Sequence, residues 1–145
     1  MSKGTPDYQD ADLVLRVYEM RREPVMRASR DAINGKFWPQ NYDEAKAVTV
    51  TTHECNAAYR QTGTYWEMVY GLVKHGIVDA EYFMETNGEG IFLLAKMEPY
   101  IEQIRKDVTP YAFINAEWVS KETQRGRGLL EVFRGRVKKA LEAKK

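Results

Sequence analysis

The stretch Asp43-Glu44-Ala45-Lys46-Ala47-Val48-Thr49-Val50-Thr51-Thr52-His53-Glu54-Cys55-Asn56-Ala57-Ala58-Tyr59-Arg60-Gln61 decides the fold class. Its centre, Val48 to Thr52, is β-branched and could form a strand. Against that, Ala45, Val48, Thr52, Cys55 and Tyr59 recur at spacings of 3, 4, 3 and 4. That places them on one narrow helical seam. The seam extends beyond the β-branched run on both sides, so the expectation is a helix over 43–61. No long alternation of apolar and polar residues occurs elsewhere. The expected class is therefore all-α, a compact antiparallel or irregular bundle of roughly five to seven helices.

Working outward, a first helical segment is expected over 7–33. Asp7, Asp10 and Asp12 load its start, where the helix dipole favours negative charge. Val14, Tyr18, Val25 and Ala32, with Leu15 and Met26, form its apolar face. Pro24 should kink or split it near Arg21 to Glu23, and Asn34-Gly35 should stop it. Glu23 and Arg27 are spaced for an ion pair. Phe37-Trp38-Pro39 then reads as an extended corner.

Downstream of the opening stretch, Gly63 reads as a stop. Thr64 and Glu67 read as a capping box for a helix burying Trp66, Val69, Tyr70 and Val73. Lys74-His75-Gly76 closes it, His75 acting as a C-cap. Asp79 caps a short helix, and Asn87-Gly88-Glu89-Gly90 is a turn. A helix over 91–106 follows, bent at Pro99. Thr109-Pro110 reads as an N-cap and first helical position. Gly126 and Gly128 interrupt the segment that this starts, or a linker there separates it from a last helix burying Leu129, Leu130, Phe133 and Val137. The 145 residues fit one domain, with 1–6 frayed and 121–145 a basic C-terminal helix.

Neither a membrane span nor a signal peptide is expected, since no apolar stretch is long enough. Cys55 is the single cysteine, so no internal disulfide forms and the chain reads as cytoplasmic. Gly-x-Ser-x-Gly, Walker, dinucleotide-binding and His-Glu-x-x-His motifs are all missing. No catalytic residue, metal ligand or cofactor is therefore assigned. His53, Glu54 and Cys55 adjoin, but helical neighbours diverge by about 100° and cannot readily share one ion. Cys55 reads as a buried structural thiol.

The chain holds 22 basic and 21 acidic residues, and that balance conceals an asymmetry. Residues 1–39 carry 7 basic against 6 acidic, 40–120 carry 6 against 12, and 121–145 carry 9 against 3. An acidic middle of −6 thus opposes a basic tail of +6. A protein coated uniformly in basic charge to grip nucleic acid is excluded, but a locally basic surface is not.

Several segments taken together carry a resemblance. They are Tyr18 to Arg27, Tyr65-Trp66-Glu67, Gly76-Ile77-Val78-Asp79, Pro99-Tyr100-Ile101-Glu102 with Arg105, and Phe113 to Trp118. Over about residues 12–120 the chain resembles a set of uncharacterised bacterial helical domains of unknown function. Some of their members carry an N-terminal membrane helix, and no such apolar segment occurs here. The resemblance implies an α-helical fold and transfers no catalytic residue.

Three functions compete. The first is a module acting through protein contacts, including self-association, because aromatic residues and arginine are abundant. The second is nucleic-acid binding through Arg125, Arg127, Arg134, Arg136, Lys138 and Lys139. The third is a small-ligand site or enzyme pocket built from Tyr65, Trp66 and Tyr70, whose bland counterpart is simply a core.

Overall fold

The boundary at Pro24 organises the first third of the chain. In the computed structural model, which describes residues 4–145, helix α1 spans Tyr8–Arg22 and α2 spans Pro24–Lys36. Residues 1–3 of the expected frayed end lie outside the described residues. Asp7 and Asp10 cap α1 reciprocally, each carboxylate taking the other's backbone N–H. Proline is tolerated at the first position of α2 because that N–H would lack a partner in any case. The Glu23 carboxylate accepts the Met26 N–H at 3.0 Å, so it caps α2 rather than pairing with Arg27. Asn34-Gly35 does not stop α2, which ends on the extended Phe37. Val17, Met26 and Ile33 supply the buried face, while Leu15, Tyr18 and Val25 point outward, contrary to the expected face.

The deciding stretch is neither one helix nor a strand. Helix α3 covers only Tyr42–Ala47, turns follow, and α4 spans Asn56–Lys74. Local side-chain bonds compete with the helix here. Thr49 Oγ1 donates to the Lys46 carbonyl at 2.7 Å, and the His53 ring Nδ1 accepts the Cys55 N–H at 3.0 Å. Asn56 Nδ2 closes the loop on the Val48 carbonyl at 2.8 Å. Ala45, Val48 and Cys55 still point inward, and only Thr52 of the seam's interior positions is exposed.

Gly63 does not end a helix either, because α4 runs through it. Thr64 bonds back to the Arg60 carbonyl, and the Thr64–Glu67 capping box does not form. The C-terminal reading holds: His75 is the C-cap and Gly76 adopts φ +70°. Helix α5 spans Ala80–Met84, capped by Asp79, and α6 spans Gly90–Met97. The helix expected over 91–106 is split by a 3-10 turn, Glu98–Tyr100, placed by Pro99, before α7 at Ile101–Asp107. Thr109-Pro110 does not begin a helix. Residues 109–113 form a turn and α8 spans Ile114–Glu122. Thr123 then caps α9, Gln124–Ala143, which runs through Gly126 and Gly128, so these glycines form neither a break nor a linker: the Thr123 hydroxyl accepts the Gly126 N–H and starts the helix before them.

Nine α-helices and no strand occur among the described residues. The count exceeds the expected range because short helices of 5, 6 and 7 residues separate the longer ones. Helix α4 lies centrally, flanked by α2 and α8, and α9 packs on α6 and α8. Two glycines permit this packing. A Cβ on Gly90 would lie 2.6 Å from Trp66 and 2.8 Å from Tyr70. One on Gly126 would lie 2.0 Å from the Val119 carbonyl oxygen, so α9 can leave α8 sharply only with glycine there.

Candidate functional site

Helix α4 presents Arg60, Gly63 and Glu67 on one side, since spacings of three and four return to the same face, and Tyr59, four residues before Gly63, borders them. Opposite them lie Ile104 and Val108 near the end of α7, then Tyr111 and Phe113 of the following turn. Between the two walls is a cleft of about 310 Å³. Its floor is apolar: Ile104 and Phe113 are buried, and Tyr59 meets Phe113 edge to face at 6.3 Å. Tyr111 stands at the mouth, 79% exposed.

The wall around Phe113 is strained and held from three sides. Phe113 has φ +58°, the only positive value at a non-glycine residue among those described. For an L-residue with a bulky ring this costs about 1–2 kcal/mol. Burial of the ring against Tyr59 offsets part of it. Arg105 Nε donates to the Ala112 carbonyl at 2.9 Å, while its Nη1 reaches Glu117 at 3.3 Å. The Glu67 carboxylate crosses from α4 to α8, accepting the N–H of Asn115 at 2.9 Å and of Ala116 at 2.7 Å. Asn115 Nδ2 returns a bond to the Glu67 carbonyl at 2.9 Å. Burial raises the Glu67 carboxyl above its ordinary range, opposed by those two N–H bonds and by Arg105.

Both oxygens of Glu67 are thereby spent. The other charged group of the cleft is Arg60, whose Nε donates to Asn56 Oδ1 at 2.9 Å. Its terminal nitrogens have no carboxylate partner among the described residues. The cleft therefore offers an apolar floor and one accessible cation. Cys55 lies nearby in sequence but is buried, and burial pushes its thiol up, away from the reactive thiolate.

The pocket candidates of the sequence lie elsewhere. Tyr65, Trp66 and Tyr70 are core residues, 7%, 4% and 0% exposed. Their rings pack in series, with centroids 5.0 and 5.4 Å apart. Tyr65 donates to the Val17 carbonyl at 2.7 Å and Tyr70 to the Asn87 carbonyl at 2.8 Å. Both hydroxyls are thus used in fastening α1 and the 87–90 turn to α4.

The basic candidates all lie on α9. Arg134 is held by Glu98, at 2.8 and 2.5 Å, and by Glu131. Arg125 and Arg127 donate to the Glu85 and Lys121 carbonyls. Arg136 lies over the Phe133 ring, and Lys138 and Lys139 are exposed. Glu81 takes the first N–H groups of α9, those of Gln124 and Arg125. The basic tail is therefore docked partly on its own acidic middle.

Lys96 was not singled out from the sequence. It is 2% exposed, and its ammonium donates to the carbonyls of Ile33 at 2.8 Å, Asn34 at 3.3 Å and Phe37 at 2.9 Å. The same ammonium lies 3.8 Å from the Trp38 ring centroid. Burial and the nearby Lys144 pull it down to about 7. The available signal was a lone charge inside the apolar helix Gly90–Met97.

Fold and cleft together define an all-helical protein with an open, largely apolar cleft beside its central helix. The chain belongs to the family described as Domain of unknown function (DUF4760), which matches residues 7–123. That range takes in both walls of the cleft and stops before α9. Neither a curated protein nor a solved structure matches the chain. No group of histidine, cysteine, aspartate or glutamate among the described residues is placed to hold a metal ion, and no helix among them is long and apolar enough to cross a membrane.

Proposed function

We propose that the protein is a protein-contact module that pairs with a second copy of itself through the outer face of α1. One observation carries the reading. Tyr8, Leu15 and Tyr18 are 94%, 61% and 47% exposed, and with Ala11 and Arg22 they repeat at alternating spacings of three and four. That repeat is the seam by which helices pair. Only Asp10 and Val17 of α1 are fully buried, so the seam lies outside the core. Exposed apolar area favours burial by about 25 cal/mol per Å², and contiguous patches of it mark contact sites. The Arg22 guanidinium lies 5.5 Å from the Tyr18 ring, a pairing of residue types that interfaces favour. The reading treats residues 1–145 as one helical domain acting in the cytoplasm, which a lone buried thiol supports, and assigns it no catalysis.

Sedimentation velocity tests it. A dimer is expected at micromolar concentration, with Leu15→Glu plus Tyr18→Glu returning a monomer of unchanged helical content. A wild-type monomer up to about 100 μM would overturn the reading.

A nucleic-acid reading has its own support. Arg127, Arg136, Lys138 and Lys139 on α9 have no carboxylate within 4.0 Å among the described residues. A mobility shift that weakens steeply with salt, and is lost on changing these four to glutamine, would favour it. No shift at low salt would remove it.

A further inference from the structure

We infer that the cleft between α4 and the α7–α8 turn binds a small apolar carboxylate, an acyl or aryl acid whose body lies on Phe113 and whose anion meets Arg60. The cleft volume of about 310 Å³ is at the lower end of the range for small-molecule sites, about 300–1,000 Å³. Three independent features converge on it. The floor of Tyr59, Ile104 and Phe113 is apolar, which suits a hydrocarbon or ring. The charge that remains available is positive, since Glu67 is consumed by the start of α8 while the Arg60 terminal nitrogens are not met by any carboxylate of the described residues. An anion is therefore the complementary head group, and a planar guanidinium suits a carboxylate.

The third feature is the shape of the two walls. Gly63 sits in the interior of α4, where glycine costs about 1 kcal/mol relative to alanine. A Cβ there would meet nothing within 4 Å, so no packing inside the molecule calls for the bare backbone. What its absence does provide is depth in the cleft. Facing it, the left-handed Phe113 is the one strained non-glycine residue described, and the strain turns a ring into the cleft floor. Strained residues cluster where a ligand is clamped.

The test is an NMR titration of the full chain with octanoate, and in parallel with octanol, which shares the body but lacks the anion. Shifts are expected at Gly63, Tyr111 and Phe113, with octanoate bound at least about tenfold more tightly than octanol. Arg60→Met should remove that preference while leaving octanol binding intact. Gly63→Leu, which suits a helix, should abolish both, with the melting temperature reporting that the chain remains folded. Equal binding of the acid and the alcohol, an unchanged preference in Arg60→Met, or shifts confined to other surfaces would overturn the inference. So would the lack of any shift at about 1 mM octanoate.

Discussion

The Glu67 carboxylate lies 2.7 Å from the backbone nitrogen of Ala116, so a side chain of α4 serves as the N-cap of α8. No residue preceding α8 does this, because Phe113, at the cap position, makes no side-chain cap bond. The start of α8 and the strained turn before it therefore depend on a residue 49 positions away.

Replacing Glu67 with alanine should consequently destabilise the protein by about 2–4 kcal/mol, since two bonds to a charged acceptor are lost. Glu67→Gln keeps one carbonyl acceptor and should lose about half as much. Urea unfolding followed by circular dichroism measures both. Amide exchange should also accelerate at Asn115 and Ala116 in the alanine variant before it does so elsewhere.

Lys96 gives a pH dependence whose sign follows from its surroundings. Its ammonium titrates at about 7 in the folded chain against 10.5 in the open one. Between those values the unfolded chain holds a proton that the folded chain lacks. Stability should therefore rise as pH increases from about 7 toward 10.5, and this group should contribute no slope below that window. Denaturation midpoints at successive pH values test it, and the slope should vanish in Lys96→Met.

That same substitution has a separate cost at neutral pH. It removes the ammonium donor shared by the carbonyls of Ile33, Asn34 and Phe37 at the end of α2, of which Ile33 retains the Phe37 N–H. A loss of about 2–4 kcal/mol is expected. Lys96→Arg should not rescue it, because the planar guanidinium is bulkier than the compact ammonium that fits between three carbonyls and the Trp38 ring.

Two glycine-to-alanine changes should move stability in opposite directions. At Gly126 the new methyl would lie 2.0 Å from the Val119 carbonyl oxygen, and backbone must shift. A loss above about 2 kcal/mol is expected. At Gly63 the methyl enters open space within a helix, so a gain of about 0.5–1 kcal/mol is expected. Melting temperatures of the pair decide it.

The thiol of Cys55 should react slowly with an aromatic disulfide reagent in the native protein and promptly in urea. Burial both shields the sulfur and disfavours its thiolate. Rapid native reaction would show that the 48–55 turns open.

Much of the helix content was legible. The Pro24 boundary, the Asp79 cap, the Lys74-His75-Gly76 stop and the buried side of α4 all follow from local stereochemistry and periodicity. Errors arose where polar side chains chose among backbone partners. Thr49, Asn56 and His53 turned a helical seam into a loop, yet Ala45, Val48 and Cys55 kept facing inward. Burial is read by the periodicity, whereas hydrogen-bond competition is not. The spacing of Thr64 and Glu67 suggested a local capping box, but Glu67 found its partners in another helix.

The cleft was illegible for the same reason. Tyr59, Arg60 and Gly63 precede Ile104, Val108 and Phe113 by more than 40 residues, and no periodicity within one helix connects them. Tyr65, Trp66 and Tyr70 lie close together in the sequence, as a pocket lining or a core would, and their burial makes them the core on which α6 rests.

By itself, then, the amino-acid order determined the helical class, several helix boundaries such as those at Pro24, Asp79 and Gly76, and the opposition of an acidic middle to a basic tail. Those depend on propensity, proline and glycine stereochemistry, and composition, which act over a few residues. Tertiary structure alone decided that the tail docks partly on its own chain through Arg134 and Glu98, that Lys96 is buried against three carbonyls, and where an accessible cation stands beside an apolar floor. Such pairings form only when separate helices meet. Their strength comes from desolvation, which is a property of the packed molecule.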